Sequence, residues 1–208
     1  MTELPLKAIT EGGPVMIPLI ITSLVIWYLI IERLTHLRRE KTDTETFTSR
    51  ILMFLEQDKP EQAQKLCDLN PGPLSRIIAS GLRVIEKGRE SVERIIREAS
   101  LSETPGLVKN LSVIGILAAV APLLGLLGTV SGMVTTFKAI NLYGTGDPEA
   151  LAGGISQALI TTQYGLIIGI PGIMFYFYLS SRADNLIKDV DKQILKFLNS
   201  VKQLRKSA

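Results

Sequence analysis

Three uncharged and largely apolar segments divide the chain. They cover residues 14–31, 110–137 and 150–181, and they are 18, 28 and 32 residues long. A bilayer core about 30 Å thick is crossed by roughly 20 helical residues, so each segment is long enough to span a membrane. The pattern therefore predicts an all-α integral membrane protein with three transmembrane helices.

The remaining sequence has the pattern of charged amphipathic helices. Apolar residues recur at helical spacing after Pro73 and again from Ser91 to Glu103. Prolines and glycines predict helix breaks at residues 58–60 and 70–73, and Pro105-Gly106 predicts another before the second span. Residues 2–11 predict a short interfacial helix.

The third span is predicted to continue as one helix to about residue 204, because no Gly or Pro follows Gly172. Beyond Arg182 its apolar residues alternate steps of three and four, which is a heptad seam. The seam consists of Ile187, Val190, Ile194, Phe197, Val201 and Leu204. An exposed apolar stripe needs a partner, and two remain open: neighbouring subunits, or the helices between Pro73 and Glu103.

Charge predicts the orientation. Residues 32–109 and 182–208 contain 21 of the 23 Lys and Arg and 16 of the 20 Asp and Glu. The positive-inside rule places these helical extensions in the cytoplasm, with residues 1–13 and the loop 138–149 outside. The N-terminus carries mixed charges, and no small-residue cleavage site follows the first apolar segment, so this segment is predicted to be an uncleaved span.

Composition excludes several classes of site. A single Cys67 excludes an internal disulfide framework, and a single His36 excludes a Cys/His zinc cluster within one chain. No nucleophile, base or metal constellation is present, so we expect neither an enzyme nor a cofactor or metal site. The pI near 9.0 is explained by orientation and by anionic membrane lipid, and not by nucleic acid.

The second and third spans differ from the first in their small residues. The first span has large apolar residues nearly all round and no glycine, so we expect it to face lipid. Small residues on one helical side permit close helix packing where no hydrophobic force acts between helices. The predicted packing positions are Gly125, Gly128 and Gly132 in the second span and Gly154, Ala158, Gly165 and Gly169 in the third.

Polar but uncharged side chains mark the third span. Ser156, Gln157, Thr161, Thr162 and Gln163 lie within two turns, while none of the three spans contains Asp, Glu, His, Lys or Arg. Transmembrane proton relays normally use such ionisable groups. If the assembly moves protons, the titrating group must belong to a partner, and Thr and Gln would hydrogen-bond that group or nearby water.

Two sequence motifs are similar to those of a known family. Residues 121–137, APLLGLLGTVSGMVTTF, and residues 154–172, GISQALITTQYGLIIGIPG, resemble the second and third spans of the MotA/TolQ/ExbB proton channel family, in its ExbB/TolQ branch. The resemblance implies a stator in the bacterial inner membrane, with five subunits around a dimer of single-span ExbD-like partners. Each partner would supply a titratable Asp, and a TonB-like protein would transmit force for outer-membrane transport.

The resemblance also implies roles for three residues. Thr129 in GLLGTV and Thr162 in ITT match the pore-lining threonines of the family, and Gln157 stands where many relatives have Glu. A mechanism that needs an acid at this position cannot operate here, which agrees with a carboxylate supplied by the partner. A TolQ-like or gliding-motor stator and a structural membrane scaffold without ion flux remain alternatives.

Overall fold

The structure is a computed structural model that describes residues 12–39, 44–144 and 148–204. Within these residues there are seven α-helices and no strand. The helices are α1 (Met16–Arg39), α2 (Thr44–Glu56), α3 (Pro60–Leu69), α4 (Pro73–Leu82), α5 (Arg89–Val108), α6 (Leu111–Tyr143) and α7 (Pro148–Leu204), with a 3₁₀ turn at Ile85–Lys87.

Three helical stretches are long and apolar enough to cross a membrane. They are Met16–Arg38 in α1, Glu90–Leu142 over most of α5 and α6, and Leu151–Lys202 in α7. The all-α class and the three candidate spans are thus confirmed. Helix α6 extends beyond the predicted span to Tyr143. The interfacial helix predicted for residues 2–11 lies outside the described residues.

Two of the predicted helix breaks are confirmed. Helices α3 and α4 begin at Pro60 and Pro73, in the first turn, where the missing proline N–H costs no hydrogen bond. The chain before α3 turns at Asp58, which has a φ of 55°. This left-handed conformation, which Asp tolerates better than most residues, ends the preceding helix.

The break predicted at Pro105-Gly106 is wrong. Helix α5 continues through Pro105 to Val108, although an internal proline removes one hydrogen bond and crowds the preceding turn. Both residues are exposed, so the turn can adjust around the proline ring without disturbing a packed neighbour. The interruption comes at Asn110, which has a φ of 61° and precedes α6.

The described chain forms two compact units. The span unit consists of the described parts of Met1–Arg33 and Asn110–Tyr178, and the bundle unit of the described parts of Leu34–Lys109 and Leu179–Ala208. Helix α7 therefore contributes residues to both units. Each unit has its own buried residues, and the span unit contains the three candidate spans up to Tyr178.

Four residues of the heptad seam are buried in the bundle unit, while Ile187 is half-buried. Val190, Ile194, Phe197 and Val201 belong to one apolar core with residues of α2, α3, α4 and α5. Phe197 is fully buried, whereas the side chain of Leu204 is not among those described. The sequence left two partners for the seam open, neighbouring subunits and the chain's own helices. In the structure the seam packs on the chain's own helices. The seam therefore gives no reason to expect a neighbouring subunit.

Cys67 is part of the same core. It is free and buried, and burial raises the pKa of its thiol from 9.0 to about 12, with a smaller contribution from the nearby Asp68 carboxylate. The thiol thus remains protonated at neutral pH. It acts as a small apolar side chain in the core.

Helix α1 faces its surroundings with one side only. Met16, Leu19 and Ile26 are buried, while Ile17 and Leu24 are more than half exposed. Lipid contact of this helix stays a prediction, and the exposed side is the one that would make it, while the opposite side packs within the span unit. Its bulky side chains fill spaces that small residues leave on the other spans, as Met16 and Leu19 do beside Ala121.

Polar contacts tie the end of α1 in the span unit to the start of α6. Arg33, whose side chain is buried, pairs with the neighbouring Glu32 at 2.6 Å. The Asn110 amide donates to the same carboxylate at 3.2 Å. A buried charge must be paired, so these bonds hold both charges at this end of the spans.

Candidate functional site

The small-residue faces of α6 and α7 pack directly against each other. A Cβ added at Gly125 would lie 3.1 Å from the Thr162 Cα, and one added at Gly165 would lie 3.0 Å from the Gly125 Cα. Further along, a Cβ at Gly132 would lie 2.6 Å from the Gly154 carbonyl oxygen and 2.9 Å from the Ala158 Cβ. The two backbones therefore approach too closely for a side chain at Gly132 and Gly165, and at Gly125 an added Cβ would press its neighbours back by a few tenths of an ångström.

A proline helps to explain one of these contacts. Pro122 has no N–H, so the carbonyl of Ala118, four residues earlier, loses its usual helical partner. Gly169 lies at this point, and an added Cβ would come within 2.7 Å of the Pro122 ring and 3.0 Å of the Ala118 oxygen. The glycine thus leaves room for both the ring and the freed carbonyl. Gly128 similarly faces the Thr161 side chain.

Two glycines of α7 should respond oppositely to alanine. Gly165→Ala places a methyl group 2.8 Å from the Ala121 carbonyl oxygen, and backbone cannot move aside cheaply, so we expect about 1–3 kcal/mol of destabilisation. Gly153→Ala meets no atom within 4 Å and should be neutral or stabilise by about 0.5–1 kcal/mol through helix propensity. Thermal unfolding of both variants in detergent measures the difference, and equal effects would contradict this packing.

Thr162 lies in this contact beside Gly125, and Thr129 follows Gly128 in the sequence; both threonines are half-buried. The Thr162 hydroxyl donates across the helices to the Gly125 carbonyl at 3.1 Å. The Thr129 hydroxyl donates to the Leu126 carbonyl of its own helix at 2.6 Å. Each hydroxyl therefore has its donor engaged and retains lone pairs that can accept a hydrogen bond.

Gln157 lies against the residues that precede α1. It is half-buried, and a Cβ added at Gly13 would overlap its amide nitrogen. Neighbouring Thr161 is fully buried, and its single hydroxyl proton is shared between the Gln157 carbonyl at 2.6 Å and the Gly12 carbonyl at 3.2 Å. The structure thus brings Gln157 and Thr161 together with Gly12 and Gly13.

Thr161 was not among the residues predicted for the site. Its signal in the sequence was its position beside Thr162, four residues after Gln157, but a threonine can equally bond only to its own helix. We define the polar patch as Thr129, Gln157, Thr161 and Thr162. None of these side chains ionises near neutral pH, so the patch can donate and accept hydrogen bonds but cannot itself bind and release protons. The described residues hold no metal-binding cluster.

Several curated proteins are similar to this chain over most of its length. A biopolymer transport protein ExbB homolog of Methanothermobacter thermautotrophicus is 29% identical over 89% of this chain and 66% of its own length. The Tol-Pal system protein TolQ of Pseudomonas aeruginosa is 27% identical, with 83% and 80% covered. The biopolymer transport protein ExbB of Xanthomonas campestris is 26% identical, with 85% and 76% covered.

The family comparison agrees with these relatives. The profile of the MotA/TolQ/ExbB proton channel family matches residues 70–192, which is more than half of the chain and includes α4 to α6 and most of α7. Three candidate spans and this match describe a multi-pass membrane protein. The chain therefore belongs to the MotA/TolQ/ExbB proton channel family, in its ExbB/TolQ branch.

Proposed function

We propose that this chain is the channel and stator subunit of an inner-membrane motor driven by the proton motive force. It works with an ExbD-like single-span partner and energises a TonB-like protein for outer-membrane transport. The names of the relatives, biopolymer transport protein ExbB and Tol-Pal system protein TolQ, support a role of this kind. The two names correspond to two alternative proteins that the motor would energise, a TonB-like protein and a Tol-type protein.

The observation that carries the proposal is the polar patch, which lies in spans without ionisable carriers of Asp, Glu, His, Lys or Arg type. A proton pathway through these spans needs a titratable group, and a carboxylic acid on a partner helix is the simplest source. Thr129 and Thr162 already donate to backbone carbonyls. Their free lone pairs would accept a hydrogen bond from the partner's acid while it is protonated.

Release of the proton would then require a hydroxyl to turn toward the carboxylate. Thr162 would give up its bond to the Gly125 carbonyl, which at 3.1 Å is longer than the 2.6 Å bond of Thr129. A hydroxyl rotates about a single bond, so this exchange needs no backbone movement. The polar patch can therefore hydrogen-bond to the partner's acid in both its protonated and its ionised state.

The proposed assembly places the bundle unit in the cytoplasm and a ring of five chains in the membrane. The excess of Lys and Arg in residues 32–109 and 182–208 supports this orientation. The small-residue faces and the seam are already satisfied within one chain, so they no longer argue for a ring. The support for subunit contacts is the family to which the chain belongs.

Native mass spectrometry tests the assembly. The chain, coexpressed with an ExbD-like single-span protein and extracted in mild detergent, should give a closed ring of five chains with two partners. A spectrum that contains only monomer, with or without the partner, would contradict the proposed stator.

Two substitutions of Gln157 should have different effects on energised transport. Gln157→Glu keeps the length of the side chain and, in its protonated form, can still donate and accept hydrogen bonds, so it should retain most activity. Gln157→Leu loses these bonds and should reduce transport about tenfold. Uptake in a strain that lacks the native chain measures both. Near-normal uptake with the Leu variant would show that this side chain only packs.

A further inference from the structure

The residues immediately before α1 contact the third span at its polar patch. We call Gly12 and Gly13 the glycine turn. Its contacts with α7 are the bond from the Thr161 hydroxyl to the Gly12 carbonyl, 3.2 Å long, and the position of Gly13 against the Gln157 amide. All four residues belong to the span unit.

Two properties of Gly13 suit it to this contact. Its φ is +69°, a left-handed conformation that strains residues with a Cβ and that glycine adopts freely. Its lack of a Cβ also leaves the space that the Gln157 amide occupies. The Gly13 carbonyl then accepts from the Met16 N–H at 3.1 Å, which joins the turn to the first residues of α1.

Thr161 joins the turn to α7. Its hydroxyl is fully buried and lies between the carbonyls of Gln157 and Gly12. Thr136 is a matched comparison, because it is also buried. Its hydroxyl donates to the carbonyl four residues earlier, that of Gly132, at 3.1 Å. The bond to Gly12 is what distinguishes Thr161.

We propose that Thr161 and the glycine turn position the Gln157 amide, so that the start of the first span fixes the part of the polar patch that lies on the third span. Thr161 and Gly13 are in this view positioning residues that act through Gln157. The contact itself is independent of what the protein transports. Its consequence for activity rests on the proposed function.

Hydrogen–deuterium exchange of the full chain in detergent tests the contact. Thr161→Val removes the hydroxyl at nearly constant volume and should accelerate exchange in residues 12–19 on the order of tenfold, the factor expected for one net hydrogen bond. Thr161→Ser keeps the hydroxyl and should exchange like the unmodified chain. Thr136→Val should leave residues 12–19 unchanged.

Two outcomes would overturn the contact. Unchanged exchange of residues 12–19 in Thr161→Val would show that the hydroxyl does not hold the glycine turn. Equal acceleration in Thr136→Val would show that loss of any buried hydroxyl loosens the span unit, and that the bond to Gly12 has no special role.

Energised transport tests the positioning of Gln157. Gly13→Ala should displace the amide and reduce transport about tenfold, as loss of its hydrogen bond would. Gly144→Ala is the matched control, because Gly144 has the same φ of +69° but no atom of the described residues within 4 Å of an added Cβ, and it should transport normally. Equal transport by both variants would overturn the positioning role. If the unmodified chain supported no transport at all, the proposed function would be refuted. The contact would then be tested by hydrogen–deuterium exchange alone.

Discussion

Replacing Thr162 by valine should reduce energised transport by about 10- to 100-fold while the chain still folds and inserts. Valine keeps the volume of threonine but cannot exchange hydrogen bonds with a carboxyl group, and a bond to a charged group contributes about 1.5–3 kcal/mol. The substitution also removes the hydrogen bond from Thr162 to the Gly125 carbonyl. This is a single bond between neutral groups, so its loss should leave folding and insertion intact. Uptake measured at matched membrane abundance gives the effect, and Thr129→Val should show a similar loss.

Two controls separate the hydroxyl from its surroundings. Thr162→Ser keeps the hydroxyl and should retain transport. Thr135→Val removes an exposed hydroxyl of α6 that bonds only to the Ser131 carbonyl of its own helix, and it should be active. Full activity of both Thr162→Val and Thr129→Val would remove these threonines from the proton pathway.

Phe197→Ala should destabilise the bundle unit by about 3–5 kcal/mol, the usual cost of deleting a large side chain from a packed core. Phe197 is fully buried in the core that the seam shares with α2 to α5. Chemical denaturation of the full chain in detergent, followed with a probe in the bundle unit, measures the loss.

Leu195→Ala is the matched control for the seam. Leu195 lies two residues before Phe197 on the same helix and is 61% exposed, so its truncation should cost well under 1 kcal/mol. If Phe197→Ala unfolded no more easily than Leu195→Ala, the seam would not be buried within the chain, and contact with a neighbouring subunit would again be its best explanation.

Local patterns in the sequence were sufficient for most of the helices. Uncharged segments predict spans because a charge in hydrocarbon is costly, and proline at the start of α3 and α4 follows from its missing N–H. Pro105 shows the limit of such rules. A proline within an exposed helix can be accommodated when the adjoining turn is free to adjust, and the sequence around it does not state whether that turn is packed.

The partners of each surface depend on contacts between residues far apart in the chain. The heptad seam has the same periodicity whether it packs on another subunit or on α4 and α5. The small residues of α6 and α7 likewise predict close packing, but their pattern does not show that these two helices pack on each other. The contact of Thr161 with Gly12 joins residues 149 positions apart, and no local pattern predicts such a pair.

Proton flux into proteoliposomes tests the central claim most directly. Vesicles that contain the chain together with its single-span partner should take up protons when a membrane potential is imposed, and those that contain the chain alone should not, because its spans carry no Asp, Glu, His, Lys or Arg. An Asp→Asn change in the partner's membrane helix should abolish the flux. Equal flux from the chain alone, or undiminished flux with the Asn partner, would contradict a pathway in which this chain supplies the polar patch and the partner supplies the acid.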